Sequence, residues 1–185
     1  MSNLGLHSLS LPPFLLHSPA ASILFPVITG GLIGYSTNRL ADTKTVYNRL
    51  SQPPFRPPSW LFAPAWTLLY AGMGYAAHRV SLTPSPSTPR ALGLYSLQLG
   101  LNFAWMPLFF GARRVKAAML DIVVLMGVAG GTAYQFAKVD GMAGRLMIPY
   151  IAWLGFAAYL TAGVGFLNGW DIKGAVEKEK GGKTV

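Results

Sequence analysis

The sequence predicts an all-α membrane protein, a bundle of five transmembrane helices. Charged residues make up 11% of the 185-residue chain, against roughly 25% in an average soluble protein, and the mean hydropathy is +0.40. Five apolar stretches each approach the roughly 20 residues that a helix needs to cross a membrane. They lie at about residues 20–40, 60–78, 91–110, 115–137 and 143–168. This composition excludes a disordered chain and argues against a water-soluble enzyme.

The first two stretches are bounded by a tail without Lys, Arg, Asp or Glu and by prolines. Residues 1–19 form an N-terminal tail without Lys, Arg, Asp or Glu, and the first stretch begins directly after it. Four prolines in residues 52–58 exclude a helix there, because proline removes a backbone donor and restricts the residue before it. Ser59 is then the expected N-cap of the second helix. A Pro- and Ser-rich linker, residues 81–89, follows that helix.

Short turns at residues 111–114 and 139–144 separate the third, fourth and fifth stretches. After them, residues 171–185 combine Lys–Glu alternation with glycines and are predicted to form a disordered cytosolic tail. The domain organisation is therefore one transmembrane domain, residues 20–170, between two tails.

The charged loops predict the orientation of the chain. With five spans, one side holds the N-terminal tail and the second and fourth loops, which carry four of the 15 Lys and Arg residues. The other side holds the first and third loops and the C-terminal tail, which carry the other 11. Because cytosolic loops are enriched in Lys and Arg, the C-terminus is predicted to be cytosolic. Charges that lie between apolar stretches also argue against a nucleic-acid partner.

Common catalytic and metal-binding residues are missing from the sequence. It has no cysteine, and its three histidines have no metal-ligand spacing, so no metal site is predicted. No acid–base pair and no nucleophile beside a base stand out. Asp121 is the one formal charge away from the ends of a stretch, and pairing with Arg113 or Arg114, about two turns away, is its favoured interpretation. An ion-coupled transporter is disfavoured because such proteins place ionisable residues near the middle of the membrane, whereas Asp121 is the one candidate and lies near an end of its stretch.

Three helical faces carry aromatic or amide side chains at spacings of three and four residues. They are Trp66, Tyr70 and Met73 in the second stretch, Gln98, Asn102, Trp105 and Phe109 in the third, and Pro149, Trp153, Phe156 and Leu160 in the fifth. Amides facing lipid are costly, so these faces should point into the bundle. Gln98 and Asn102 either hydrogen-bond between helices or contact a ligand, and both alternatives stay open. Three inward aromatic faces favour a flat, apolar ligand.

Small residues four positions apart permit close helix approach, within the bundle or in a homodimer. The pairs are Gly30 with Gly34, Gly100 with Ala104, and Gly127 with Gly131.

Four motifs occur along the chain with a distinctive order and spacing. They are Pro-Pro-x-Trp-x-x-x-Pro-x-Trp at residues 57–66, Leu-Tyr-x-x-Met-Gly at 69–74, Gln-Leu-x-Leu-Asn-x-x-Trp-x-Pro-Leu-Phe-Phe-Gly at 98–111 and Pro-Tyr-x-Ala-Trp-x-x-Phe-Ala at 149–157. In these motifs the sequence resembles the translocator protein family (TspO, the peripheral-type benzodiazepine receptor). The match extends from the first stretch through the fifth and leaves out both tails.

The resemblance implies a five-helix membrane bundle, often a homodimer, that binds tetrapyrroles, sterols and benzodiazepine-type ligands in an inner pocket. Carried over by position, the ligand-binding residues are Tyr47, Trp66, Asn102, Trp105, Trp153, Phe156 and Leu160. No cofactor is required, and protoporphyrin IX or a heme-type tetrapyrrole is the implied ligand. The outer mitochondrial membrane, with a cytosolic C-terminus, is the implied location, and the endoplasmic reticulum or another secretory membrane is the alternative.

The resemblance also implies an alternative, enzyme-like function. Some bacterial members are linked to light- or oxygen-dependent porphyrin breakdown at pocket tryptophans, which here correspond to Trp66 and Trp153. A binding protein involved in transport or homeostasis remains the favoured function. One departure concerns sterols: the animal sterol motif has a Tyr and an Arg where this sequence has Ala162 and Phe166.

Overall fold

The computed structural model of the chain describes residues 10–172, and within that range it contains helices and turns but no strand. Five of its helices are 19 to 25 residues long, namely α2, α4, α5, α6 and α8. The elements are α1 (Pro13–His17), α2 (Pro19–Ala41), α3 (Thr43–Arg49), α4 (Phe62–Leu82), α5 (Thr88–Met106), α6 (Val115–Val139), α7 (Gly141–Leu146) and α8 (Ile148–Leu167), with a 3₁₀ turn at Ser59–Leu61 and a π-helical turn at Pro107–Gly111. The all-helical prediction is confirmed for the described residues.

Three segments of the described chain are long and apolar enough to cross a membrane: Pro19–Ala41, Val115–Val139 and Gly141–Leu167. The other two long helices, α4 and α5, are less apolar. His78 on α4 and Gln98 and Asn102 on α5 are all buried.

Long-range contacts fix which loops share an end of the bundle. At one end, here called the α1 end, the carbonyl of Leu16 accepts hydrogen bonds from His78 Nδ1 at 2.8 Å and from Ser81 Oγ at 3.0 Å. At the opposite end, the α3 end, Asn168 pairs with the backbone of Ser51. The first loop and the end of α8 thus lie together, as alternating long helices require.

An aspartate starts the short helix α7 at the α1 end. Asp140 Oδ1 accepts from the N–H groups of Met142 and Ala143, and its Oδ2 lies 2.8 Å from Arg79 Nη2. Desolvation acts to raise the pKa of Asp140, but the bonds from Ala143, Arg79 and Met142 outweigh it and hold that pKa below its usual range.

Helix α2 approaches α4 so closely that backbone meets backbone. A side chain at Gly74 would collide with the carbonyl of Ser22, and one at Gly30 would collide with the ring of Tyr70. Gly30 therefore serves the bundle, whereas Gly100, Gly127 and Gly131 have nothing within 4 Å of an added Cβ. The last two small-residue pairs are left unused by the contacts within the described chain.

The structure corrects several predicted boundaries. The segment 143–168 is two helices, because Pro149 in the first turn of α8 has no N–H to continue α7. Pro107 likewise ends α5 at Met106, and the chain continues as a π-helical turn. Ser59 does not cap α4, which begins at Phe62 without a side-chain cap. Ser59 instead begins the 3₁₀ turn that precedes α4.

Two short helices lie where the sequence predicts only tail and loop. Helix α1 falls in the N-terminal tail, and its Leu16 is buried. Helix α3 falls in the first loop. Of the predicted disordered tail, residues 173–185 lie outside the described residues, while Ile172 is fully buried against the bundle.

Candidate ligand-binding cavity

A cavity of about 440 Å³ lies inside the bundle near the α3 end. Its wall comes from α2, α3, α4, α5, α6 and α8 and from the loop that follows α3. The volume falls in the range of roughly 300–1,000 Å³ that is typical of small-molecule sites. Six of the seven predicted ligand-binding residues line it, namely Tyr47, Trp66, Asn102, Trp105, Trp153 and Leu160.

The seventh predicted residue, Phe156, does not reach the cavity wall. Its ring packs edge-to-face on Trp153 at 5.7 Å and stacks near Tyr159 at 6.3 Å. Three residues separate Trp153 from Phe156, which turns Phe156 about 60° around the helix from Trp153. Phe156 thus contacts Trp153 without lining the cavity.

A chain of aromatic rings forms one continuous side of the cavity. Trp66 lies 5.3 Å from Tyr70 and 6.5 Å from Trp153 between ring centroids. Phe62 continues the chain, 6.1 Å from Trp153 and 5.6 Å from Tyr47. We call these five residues the aromatic wall. Edge-to-face pairs of this kind are favourable beyond the area they bury.

Sequence reasoning missed Phe62, although the signal was present. Phe62 precedes Trp66 by four residues and therefore shares its helical face. Trp105 lies apart from the aromatic wall, stacked on Phe109 at 5.1 Å with an edge contact to Phe110 at 6.2 Å. Three tryptophans from three helices thus line one cavity.

Four buried side chains form a hydrogen-bonded chain at the inner end of the cavity. Tyr70 donates to Asn102 Oδ1 at 2.6 Å, Asn102 Nδ2 donates to Tyr150 Oη at 3.2 Å, and Tyr150 donates to Gln98 Oε1 at 2.7 Å. We call these four residues the deep network. Gln98 is fully buried and does not line the cavity, so its role is packing between helices. Asn102 takes part in the hydrogen-bonded chain and also lines the cavity.

Buried polar atoms without a partner are concentrated around the cavity. Within residues 10–172, four such side-chain atoms occur: Gln52 Oε1, Trp105 Nε1, Asp121 Oδ2 and Trp153 Nε1. Three of the four belong to residues that line the cavity. Buried polar groups normally find partners, so these four atoms are exceptions within the described chain.

Asp121 is the exception among these atoms. The expected pairing with Arg113 or Arg114 does not form. Asp121 Oδ2 is buried without any hydrogen-bond partner in the described chain. Arg113 and Arg114 precede α6, which begins at Val115, so helical spacing does not bring them onto the face of Asp121. Asp121 does not line the cavity.

Residues 50–61, here called the lid, cover the α3 end of the cavity. Tyr47 donates to the carbonyl of Pro57 at 2.8 Å, and burial raises the pKa of its phenol, with Arg56 partly opposing, so Tyr47 remains a donor. Gln52 Nε2 donates to the carbonyl of Tyr47 at 2.8 Å. These bonds hold the lid to α3.

Helix α8 holds the other side of the lid. Asn168 bonds both backbone groups of Ser51, accepting from its N–H at 3.2 Å and donating to its carbonyl at 2.9 Å. Tyr159 donates to the carbonyl of Pro54 at 3.0 Å. Pro53 packs so closely on Gly163 that a Cβ there would collide with the proline ring.

Comparison with known proteins identifies relatives over most of the chain. The model of the TspO/MBR family matches residues 22–167. The chain is 42% identical over 149 residues to "Translocator protein homolog" of Schizosaccharomyces pombe, covering 78% of this chain and 88% of that protein. It is 41% identical over 153 residues to "Translocator protein" of Sus scrofa, covering 81% and 88%. A bacterial relative, "Tryptophan-rich protein TspO" of Chlorobaculum tepidum, is 38% identical over 124 residues, covering 66% and 78%.

Proposed function

The chain belongs to the TspO/MBR family, and from that premise we propose that it binds flat hydrophobic ligands in its inner cavity. Porphyrins and other tetrapyrroles are the first class, and sterols are the second. The aromatic wall is the observation that carries the proposal. It offers ring faces and edges on one side of a cavity of about 440 Å³, which suits binding by burial and stacking. The role of such binding is transport or homeostasis of the ligand.

The protein is an integral membrane protein, and we propose that all five long helices span the membrane. The pairing of Ser51 with Asn168 at one end, and of Leu16 with His78 at the other, supports this, because it places alternate loops at opposite ends. The excess of Lys and Arg in the loops of the α3 end supports a cytosolic C-terminus. We propose the outer mitochondrial membrane, with a secretory membrane as the alternative.

Replacing the central rings tests the binding function. Trp66→Ala and Trp153→Ala should each weaken quenching of intrinsic fluorescence by protoporphyrin IX, because each removes a ring from the aromatic wall. Trp60→Ala is the matched control, since Trp60 is 68% exposed and lies outside the cavity lining. Unchanged titration curves for both wall variants would overturn the assignment of the cavity.

Contact between two wall tryptophans favours a second candidate function. The rings of Trp66 and Trp153 are 6.5 Å apart at an interplanar angle of 84°, so one ligand can touch both. Here the alternative is light- and oxygen-dependent degradation of a bound porphyrin. Illuminating the purified protein with protoporphyrin IX in air tests it: a new absorbing product that is lost in Trp66→Phe supports the enzyme, and unchanged spectra contradict it.

A homodimer through small residues is the proposed assembly. Gly100 and Ala104 on α5 line a shallow outward groove together with Ser96, Leu97 and Leu101. Nothing in the described chain lies within 4 Å of a Cβ added at Gly100, which leaves room for a second helix. Gly100→Leu should reduce the dimer fraction in cross-linking. A loss in Gly127→Leu on α6 instead would place the interface at the other open pair, Gly127 with Gly131.

A further inference from the structure

The cavity reaches the outside on one side of the bundle. In the described structure, none of the lining residues on α5, α6 and α8 is exposed. Residues deep in the cavity, such as Tyr70 and Leu160, are buried, so lining the cavity does not by itself make a residue exposed. Five lining residues are nevertheless exposed, and we call them the side opening: Gly31 and Tyr35 on α2, Lys44 on α3, and Ala63 and Thr67 on α4.

Helices α2 and α4 separate at the side opening. Nearer the α1 end they touch, because a Cβ added at Gly30 would collide with the ring of Tyr70. One residue further along α2, a Cβ added at Gly31 meets nothing within 4 Å. A Cβ added at Gly34 meets Met106 Sδ on α5, at 3.9 Å, and no atom of α4. The two helices therefore leave a gap between them that continues the cavity.

The surface around the side opening is apolar, as expected where a membrane protein faces lipid. Leu32, next to Gly31, is 63% exposed, and Leu68, next to Thr67, is 73% exposed. Helix α2 is also one of the three segments long and apolar enough to cross a membrane. Because large exposed apolar side chains flank both edges, the gap faces the hydrocarbon of the membrane.

Lys44 places a positive charge at the α3 end of the side opening. It is the one formally charged residue among those that line the cavity. It makes no ion pair with another residue of the described chain. A lysine near the end of a membrane span keeps its ammonium group at the level of the lipid head groups. A ligand that carries a negative charge therefore meets an unpaired positive charge where the cavity opens.

The lid borders the side opening, because residues 50–61 join α3 to α4. Tyr47 holds the lid to α3 through the carbonyl of Pro57, and Asn168 holds it to α8 through Ser51. The lid thus closes the cavity toward α8, while the path between α2 and α4 stays open. Loosening the lid should widen the same opening.

We propose that flat ligands pass sideways between the membrane and the cavity through the side opening, and that Lys44 pairs with a carboxylate on the edge of the ligand. This inference rests on the proposed function, since it describes how a ligand reaches that cavity. It favours, among flat hydrophobic ligands, those with an anionic edge, such as protoporphyrin IX. The phosphate of an anionic phospholipid offers the same charge to Lys44.

Larger side chains at the two edges of the opening test the route. Thr67→Phe and Gly31→Phe narrow it from α4 and from α2 in the full-length protein in phosphatidylcholine nanodiscs. Thr67 Oγ1 donates to the carbonyl of Ala63 in its own helix, so its replacement breaks no hydrogen bond between helices. Leu68→Phe and Leu32→Phe are the matched controls, since both residues are exposed neighbours outside the cavity lining.

The expected result is slower exchange of the ligand. Each edge variant should slow association of protoporphyrin IX at least about threefold, because the helices must first move apart. Dissociation should slow as well, since entry and exit use the same opening. Stopped-flow quenching of intrinsic fluorescence measures association, and competition with unlabelled lipid vesicles measures dissociation. If the edge variants exchange ligand as fast as their controls, the sideways route is overturned.

Removing the charge tests the role of Lys44. Lys44→Gln should slow association of protoporphyrin IX about two- to fivefold and leave its uncharged dimethyl ester unchanged. The difference should shrink as salt is added, because salt screens exposed charges. Lys116→Gln is the matched control, since Lys116 is an exposed lysine at the start of α6 and does not line the cavity.

The remaining outcomes separate the conclusions from one another. If Lys44→Gln changes the acid and the ester equally, Lys44 does not pair with the carboxylate, and that part of the inference fails. An effect confined to nanodiscs with phosphatidylglycerol, and equal for both probes, would assign Lys44 to lipid phosphate and also overturn the pairing. If neither probe binds the unsubstituted chain at equilibrium, the proposed function itself fails.

Discussion

The deep network and the lid end of the cavity use similar polar groups in opposite ways. In the deep network, Tyr70, Asn102, Tyr150 and Gln98 bond to one another in a chain. At the lid end, Gln52 and Trp105 each keep one buried polar atom without a partner in the described structure. Internal pairing stabilises the fold, whereas a buried polar atom without a partner contributes no such stabilisation. Stability and recognition should therefore separate between the two regions.

The largest effect is expected from breaking the deep network. Asn102→Leu removes the acceptor of Tyr70 and the donor to Tyr150, and a buried hydroxyl left unpaired costs about 1–3 kcal/mol. We expect a clear fall in the thermal unfolding temperature in detergent. Gln52→Leu at the lid end is the comparison and should lower it much less. The separation of the two regions is refuted if the two variants rank in the reverse order.

Within the cavity wall, two phenylalanines should differ. Phe62→Ala interrupts the aromatic wall between Tyr47 and Trp153, and we expect about a fivefold or larger loss of affinity for protoporphyrin IX, in line with the area of one aromatic side chain. Phe156→Ala removes only support behind Trp153 and should cost less. Equal losses of affinity would mean that Phe156 belongs to the binding site, as the sequence predicts.

Releasing the lid should change rates more than equilibria. Asn168→Ala removes both bonds to Ser51 at an exposed position, where hydrogen bonds contribute about 0.5–1.5 kcal/mol. Dissociation of protoporphyrin IX in stopped-flow experiments should become roughly two- to fivefold faster. Ser36→Ala, which removes an exposed bond within α2, is the control. An unchanged dissociation rate would mean that the lid does not control exit.

The smallest effect is expected at the α1 end, far from both regions. The lowered pKa of Asp140 contributes stability that is present above its unfolded value, near 3.8, and is lost as the pH falls through the lower folded value. Below about pH 4 the unfolding temperature of the unsubstituted chain should therefore fall more steeply than that of Asp140→Asn. At neutral pH the variant should bind protoporphyrin IX normally, and any weakening would link the α1 end to the cavity.

Much of the helical architecture was predictable from local sequence. Apolar runs and prolines gave the order of the five long helices, and the fourth begins at the predicted residue, Val115. Helical spacing placed Gln98, Asn102 and Phe109 on a buried face. The short helices α1 and α3 were missed because they have only five and seven residues, too few for helical periodicity to show. Leu16 and Val46 are buried by neighbours distant in sequence.

The sequence by itself determined the order of the long helices and, through its family resemblance, a set of seven candidate ligand-binding residues, of which six line one cavity. Only the tertiary structure decided which polar atoms have partners. Tyr70 and Asn102 are 32 residues apart, and Ser51 and Asn168 are 117 apart. The physical reason is that helical periodicity fixes the direction of a side chain around its own axis. The partner that it meets depends on how neighbouring helices pack, and that follows from close approaches such as Gly74 on Ser22.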